Sequence, residues 1–263
     1  MSWLRRLAGW NQRFWLCWER LGLRNTLEIF FLGRIHGRDC VLRLPGGMAF
    51  HFEGGQDGVV CHFYLEGVRI DDGDGPPVRR ILDAGANIGA ETARFLLHHP
   101  GAEVVAVEAA GRNFKLLERN FAGNPRVRVV HAALWPEAAE LQVRQYGADM
   151  QEFRVQAGGE GETVAAVTVL GIIGEMGWDA IDVLKLDIEG AEYELFTRNA
   201  GDWVGRVNAF VFEVADHERP GTTQAIFEAL SGNRYNAYVC GENLVLVRHG
   251  LGWQVEKVLG VER

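Results

Sequence analysis

Arg80-Ile-Leu-Asp-Ala-Gly-Ala-Asn87, continued by Ile88-Gly89-Ala90-Glu91, is the stretch around which the rest of the chain is organised. Ile81 and Leu82 read as a short buried strand, Gly85 as the residue that permits a tight turn, and Gly89–His99 as the helix that follows. A strand of an open α/β sheet that delivers its carboxyl end to such a turn creates a ligand crevice, with helix amides pointing into it. Gly89 is expected to let the helix pack close against the strand. A dinucleotide needs a second glycine so that backbone can approach its pyrophosphate. Two residues after Gly85 the chain has Asn87 instead, which places a side chain where phosphate would sit. The turn offers a carboxylate, Asp83, and an amide, Asn87. Those groups suit a cationic amino-acid moiety such as that of S-adenosylmethionine, which also carries a sulfonium.

From Val78 onward strand and helix patterns alternate, which predicts a parallel sheet with helices on both faces. Strands are expected at Arg80–Asp83, Glu103–Glu108, Val127–His131, Ile181–Asp187 and Ala209–Val214. Helices are expected at Gly89–His99, Gly111–Ala122, Thr168–Met176, Ala191–Asn199 and Thr222–Ser231, and a closing hairpin at Tyr235–Cys240 and Asn243–Arg248. Glu108 ends the second strand about 20 residues beyond the turn, the offset at which an acid accepts hydrogen bonds from both ribose hydroxyls. Asn113 opens the next helix, where it is either a cap or a ligand contact. Ala132 and Ala133 follow the third strand and leave room for an adenine ring.

The second informative run is Asp182-Val-Leu-Lys-Leu-Asp-Ile-Glu-Gly-Ala-Glu192. In the strand order 3-2-1-4-5 its strand lies beside the first, with the crevice between them, so that Asp187 faces the reactive end of the cofactor. Asp187, Glu189 and Glu192 are costly to crowd unless one is protonated, a cation is near, or some point outward. Glu189 and Glu192 also suit the positive end of a helix.

Taken together, I-L-D-A-G-A-N-I-G, V-A-V-E-A and V-L-K-L-D-I-E-G-A-E-Y-E-L-F resemble the FkbM family of S-adenosylmethionine-dependent methyltransferases over roughly Phe63 to Val214. The resemblance implies a class I methyltransferase fold, a Rossmann-like α/β sheet of seven mostly parallel strands with the last antiparallel. It also implies O-methylation of a hydroxyl on a sugar, glycan or natural product. By the family's pattern Asp83, Gly85, Ala86, Asn87 and Gly89 hold the methionine part, Glu108 holds the ribose, and Asp187 closes the pocket. Glu108 is followed by Ala109-Ala110 where such proteins often have E-P, so the adenine contacts through Ala109 depart from the pattern. Deprotonation of an acceptor hydroxyl calls for a positioned base, and Asp187, Glu189, Glu213 and His217 are the candidates. No metal-ligand set is evident. The competing readings are a nicotinamide-dependent oxidoreductase, opposed by Asn87 and the lack of a Tyr-x-x-x-Lys pair, and a cofactor-binding module without turnover.

The 263 residues allow one α/β domain with additions, and the net charge of −8 argues against a general electrostatic grip on nucleic acid. Cys17, Cys40, Cys61 and Cys240 are scattered without a C-x-x-C pair, which favours a reducing, cytoplasmic setting. No apolar run is long enough to span a bilayer, and Asn11, Gln12 and Arg13 interrupt any secretory leader. Residues 1–75 are expected to form helices and short strands (Cys40–Leu44, Met48–Phe52 and Val59–Leu65), serving as a lid, a homodimer contact or a membrane-surface contact. Residues 76–263 would form the cofactor-binding domain, beyond a turn-rich linker at Asp71–Pro77. The first helix, residues 3–21, carries Trp3, Leu7, Trp10, Phe14, Trp18 and Leu21 at helical spacing, and a second is expected at Thr26–His36. Between Met1 and Asn25, Arg5, Arg6, Arg13, Arg20 and Arg24 against Glu19 give +4, leaving −12 for the remainder. A basic aromatic helix of this kind suits the inner face of an anionic membrane or a docking contact. Residues 141–167 are weakly patterned, with part expected as a loop over the crevice. Together with the first 75 residues they would select a small-molecule or saccharide acceptor.

Overall fold

The computed structural model describes residues 14–15, 17–19, 21–55, 67–145, 153–156, 158, 161–213, 216, 219–241 and 243–258. The chain divides into two compact units, residues 1–67 with 257–263, and residues 68–256.

In the first unit, helical residues 14–15, 17–19 and 21–27 lead into a π-turn at Glu28–Leu32. Strands β1 (Asp39–Arg43) and β2 (Ala49–Glu53) form an antiparallel hairpin, each one residue out of step with the strand expected there. The alternation buries Cys40, Leu42, Phe50 and Phe52 on one face. Two side chains tie helix to hairpin. Asn25 exchanges hydrogen bonds with the Arg43 backbone at 2.8 and 2.9 Å, and Glu28 accepts from the Val41 amide at 3.1 Å. The expected strand Val59–Leu65 and most of the helix expected over residues 3–21 lie outside the described residues.

The second unit is built on a seven-stranded sheet. Its strands are β4 (Arg80–Ala84), β5 (Glu103–Glu108), β6 (Val127–His131), β11 (Ile181–Leu186), β12 (Val207–Glu213), β13 (Tyr235–Cys240) and β14 (Asn243–Arg248), in the order β13-β14-β12-β11-β4-β5-β6. Neighbours from β6 to β12 are parallel, while β14 runs antiparallel to β12 and to β13. This is the class I methyltransferase sheet, with the closing hairpin where the sequence places it.

Period-two alternation directs Leu82, Ala84, Val105, Val107, Leu184, Leu186, Phe210 and Phe212 to one face. There they share a core with α3 (Val169–Met176), α4 (Glu192–Thr197) and α5 (Thr222–Leu230). The odd-numbered residues of β4 point the other way, toward α1 (Ala90–His98), where Asp83 accepts a hydrogen bond from Thr92. Helix α2 (Gly111–Phe121) packs on β5 and β6. At the opposite end of the strands, buried Asp182 accepts from the Arg79 and Arg80 amides, the Arg80 guanidinium and Asn208, tying β4, β11 and β12 together.

Part of the weakly patterned region is sheet rather than loop. Strands β7 (Ala133–Leu134), β8 (Glu140–Gln145), β9 (Phe153–Gln156) and β10 (Glu162–Val167) form a second sheet in the order β7-β10-β8-β9. Its alternation is legible only in Leu141, Val143 and Val164, which are buried around Trp135. A further pair unites β3 (Gly67–Asp71) with β15 (Gln254–Val258), two strands the sequence reading missed. Trp253 pins the linker there by donating from its indole to the Pro76 carbonyl at 2.7 Å.

Candidate active site

Adjacent strands β4 and β11 both end at the same edge of the sheet, and the turns that follow them meet there. A Cβ on Gly85 would fall 1.7 Å from the Asp187 carbonyl oxygen, and Gly85 itself sits at φ 75°. Glycine is therefore demanded twice, by conformation and by the approach of the β11 end. Gly89, at φ 92°, marks another close approach, but not the one expected. Its missing side chain makes room for Leu117 and Phe121 of α2 rather than for the strand.

The crevice so formed encloses about 580 Å³, its open mouth included, and is lined by Gly85, Asn87, Glu108, Ala109, Asn113, Ala132, Ala133, Asp187 and Glu189, among others. Nine of the residues singled out from sequence are thus brought together. Ala86 is buried within the turn behind them. Glu213 ends β12 opposite Asn243 and is not among the lining residues. His217 lies outside the described residues.

Asp83 is fully buried. One oxygen accepts from Thr92 Oγ1 at 2.6 Å, and the other has no partner. Burial pushes its pKa up to about 6; the Lys185 charge and the Thr92 bond pull it down, and Glu91 and Asp187 add to the rise. Glu108 accepts from the Asn87 amide and the Ala110 amide, each at 2.8 Å, so this acid fixes the turn. Burial carries its pKa up to about 7 against those two bonds, with Asp187 and Asp83 reinforcing the shift. Asn113 is buried with its Oδ1 unpartnered, so the capping role open at the sequence level is not the one it fills.

The crowding of acids after β11 is resolved by two side chains. Lys185 stands opposite Asp83 in the β4–β11 register and donates to Asp187 Oδ2 at 3.0 Å. Burial would lower the ammonium's pKa, but Asp187, Asp83 and Glu91 outweigh it and the net shift is upward. Glu192 turns back on its own loop, accepting from the Ile188 and Gly190 amides at 2.8 Å. Between these braces Glu189 is held at φ 53° on the crevice wall.

Sequence reasoning gave Lys185, Thr92 and Glu162 no role. The first two were readable in principle, since Lys185 lies two residues from Asp187 on one strand face. Glu162 was not. It reaches from β10 to accept from the Gly111 amide at 3.1 Å, and His131, 3.8 Å from it, bonds the Ala109 carbonyl at 3.1 Å. The second sheet thereby buttresses the loop behind Glu108, and it also contributes Val155 to the crevice.

The family described as the Methyltransferase FkbM domain matches residues 83–237, more than half of the chain. Among solved structures, methyltransferase FkbM from Methylobacillus flagellatus KT is 15% identical with a TM-score of 0.46, covering 68% of this chain and 44% of its own. The N-terminal domain of human METTL16 in complex with SAH is 14% identical with a TM-score of 0.37, covering 65% of this chain and 61% of its own. A human methyltransferase 10 domain containing protein is 14% identical with a TM-score of 0.38, covering 66% and 73%. The chain thus spans less than half the length of the Methylobacillus structure. No curated protein matches it.

Proposed function

Since the chain belongs to the family of FkbM methyltransferases, which use S-adenosylmethionine, we propose that it methylates a hydroxyl of a sugar, glycan or natural-product acceptor at the β4–β11 crevice. The observation that carries this reading is the acid-rimmed crevice itself, with Glu108, Asp187 and Glu189 around a floor of small side chains and Asp83 buried in β4 outside the lining.

The residues present fit such a donor. Two buried oxygens, Asp83 Oδ1 and Asn113 Oδ1, are left without protein partners. Orphaned acceptors of this kind carry a desolvation cost that a ligand's N–H groups relieve. Asp83 and the Gly85–Asn87 turn would hold the ammonium end, Glu108 the ribose hydroxyls, and Asn113 with Ala109, Ala132 and Ala133 the adenine. When bound, the donor supplies a methyl group already activated on sulfonium.

The remaining work falls to the chain. Orientation of the acceptor oxygen supplies much of the rate in such a displacement. Asp187, clamped by Lys185, is suited to orienting the acceptor hydroxyl. Glu189, on the crevice wall, is the group suited to accept its proton. The second sheet, through Val155, would help select the acceptor.

The test has two stages. Titration calorimetry with S-adenosylmethionine and with NAD should show binding of the first alone. A screen of saccharide and natural-product hydroxyls by mass spectrometry should then find the gain of one methyl group, lost in Glu189→Gln with donor binding intact. Methylation confined to amine or carboxylate acceptors would reject the O-methyl assignment.

A further inference from the structure

We propose that the N-terminal helical segment of the first unit, divided at Gly22 and closed by the π-turn, is a docking surface for an anionic lipid bilayer, on which it lies flat. Its inner side is already satisfied: Cys17, Thr26, Ile29 and Phe30 are buried, and Asn25 and Glu28 are bonded to the hairpin. The outer side is not polar. Trp15, Trp18, Leu23, Leu27, Phe31 and Ile35 recur at steps of three to five residues and are all exposed, Trp15 by 55% and Phe31 by 53%. Single exposed apolar side chains are ordinary on a protein surface, but six within one short segment are not, even though Gly22 at φ 76° separates Trp15 and Trp18 from Leu23 and Leu27, and Phe31 and Ile35 lie in the π-turn and the bend that follow.

The chemistry of the stripe selects its occupant. Trp15 and Trp18 stack at 4.9 Å, presenting the flat amphipathic rings that favour the headgroup level of a bilayer. Arg24, Arg34 and Arg38 are exposed along the same segment, as is Glu19; residues 1–38 together hold seven arginines against Glu19 and Glu28, a net +5 that leaves −13 for the rest of the chain. A basic flank on an otherwise acidic protein turns this face, rather than another, toward a negative surface. Two copies meeting across a two-fold axis would bring their arginines together, which disfavours a second copy as the occupant. Among the described residues no helix is long and apolar enough to cross a membrane. The mode is therefore surface insertion of the apolar side to the headgroup boundary.

Flotation of the full chain with vesicles of phosphatidylcholine containing phosphatidylglycerol, against pure phosphatidylcholine, tests the assignment. We expect partition into the anionic vesicles with a blue shift of tryptophan emission. At roughly a fivefold contribution for each arginine near the surface, Arg24→Gln with Arg38→Gln should weaken partition about 25-fold. Leu27→Gln with Phe31→Gln should abolish it while circular dichroism and donor binding stay as in the parent. Equal partition into neutral and anionic vesicles, or none into either, would overturn the proposal. So would a lipid-free dimer in sedimentation velocity that the Leu27/Phe31 pair dissolves, since a second copy would then be the occupant.

Discussion

Replacing Glu108 by Gln changes one atom of the crevice and should alter its pH response in a calculable way. Both Glu108 oxygens accept backbone N–H bonds at 2.8 Å, and its pKa stands near 7. In the proposed complex the ribose hydroxyls would require the ionised carboxylate, because a protonated one gives up an acceptor site. Donor affinity should therefore rise about tenfold between pH 6 and pH 8 through Glu108 alone, with about a further twofold from Asp83, whose pKa is near 6. Stability runs the other way. A carboxyl whose folded pKa is raised from 4.5 to about 7 contributes stability that is complete below pH 4.5 and lost as pH climbs through 7, a loss of about 3 kcal/mol. In Glu108→Gln that slope should vanish. The amide cannot accept from both backbone donors, so one N–H is stranded at a cost of about 1–3 kcal/mol at acid pH. Calorimetric titration with S-adenosylhomocysteine from pH 6 to 8.5, paired with urea melts at the same pH values, reads both effects. The reasoning would be refuted by parent affinity that is flat over this range, or by a tenfold slope that survives in the Gln variant.

Gly85→Ala should fold poorly or lose donor binding altogether, since its Cβ would occupy the Asp187 carbonyl position; thermal melts should show a loss exceeding about 3 kcal/mol. Lys185→Met removes the cation that restrains Asp83 and pairs with Asp187, so about 3–5 kcal/mol of stability should be lost across the neutral range, where lysine is fully charged. In the folded fraction of that variant, the acid limb of donor binding should move to higher pH. Glu192→Gln keeps one of two loop bonds, so the urea midpoint should fall by the equivalent of about 1–3 kcal/mol with an unchanged m-value. Glu162→Ala should lower donor affinity several-fold with little change in melting temperature, because this half-exposed acid holds the Ala109–Gly111 loop rather than the core.

Elements were legible where one physical cause dominated. β5 matches its expected bounds because the buried run Val104–Val107 sits between two acids, β6 matches because half-buried Val127, Val129 and Val130 lie between a turn and His131, and the order of the central strands followed from the two acid-tipped turns. The second sheet escaped because β8 and β10 present only Leu141, Val143 and Val164 to a small core, with polar residues between them that read equally well as loop. β3 and β15 escaped for a different reason: each is half of a pair whose partner lies far away in sequence, and neither alternates clearly by itself. Within the crevice, the residues that would touch a ligand were readable because their offsets from the turn are set by strand length. Those that hold such residues in place were not. Glu162 and Gly111 are 51 residues apart, and no local pattern connects them.

The charges around the crevice do not balance, and the imbalance has a direction. Asp83, Glu108, Asp187 and Glu189 gather at the ends of β4, β5 and β11, and Lys185 is the cation bonded among them. Burial answers the excess by keeping Asp83 and Glu108 partly protonated near neutral pH. A ligand carrying positive charge stabilises the ionised forms, so its binding should expel protons, whereas an anionic ligand would have to be accommodated against four acids. A donor that arrives with a sulfonium charge and departs without it loses part of this attraction on turnover. On the proposed turnover the same acids would hold the product less tightly than the donor, which would favour exchange of one for the other.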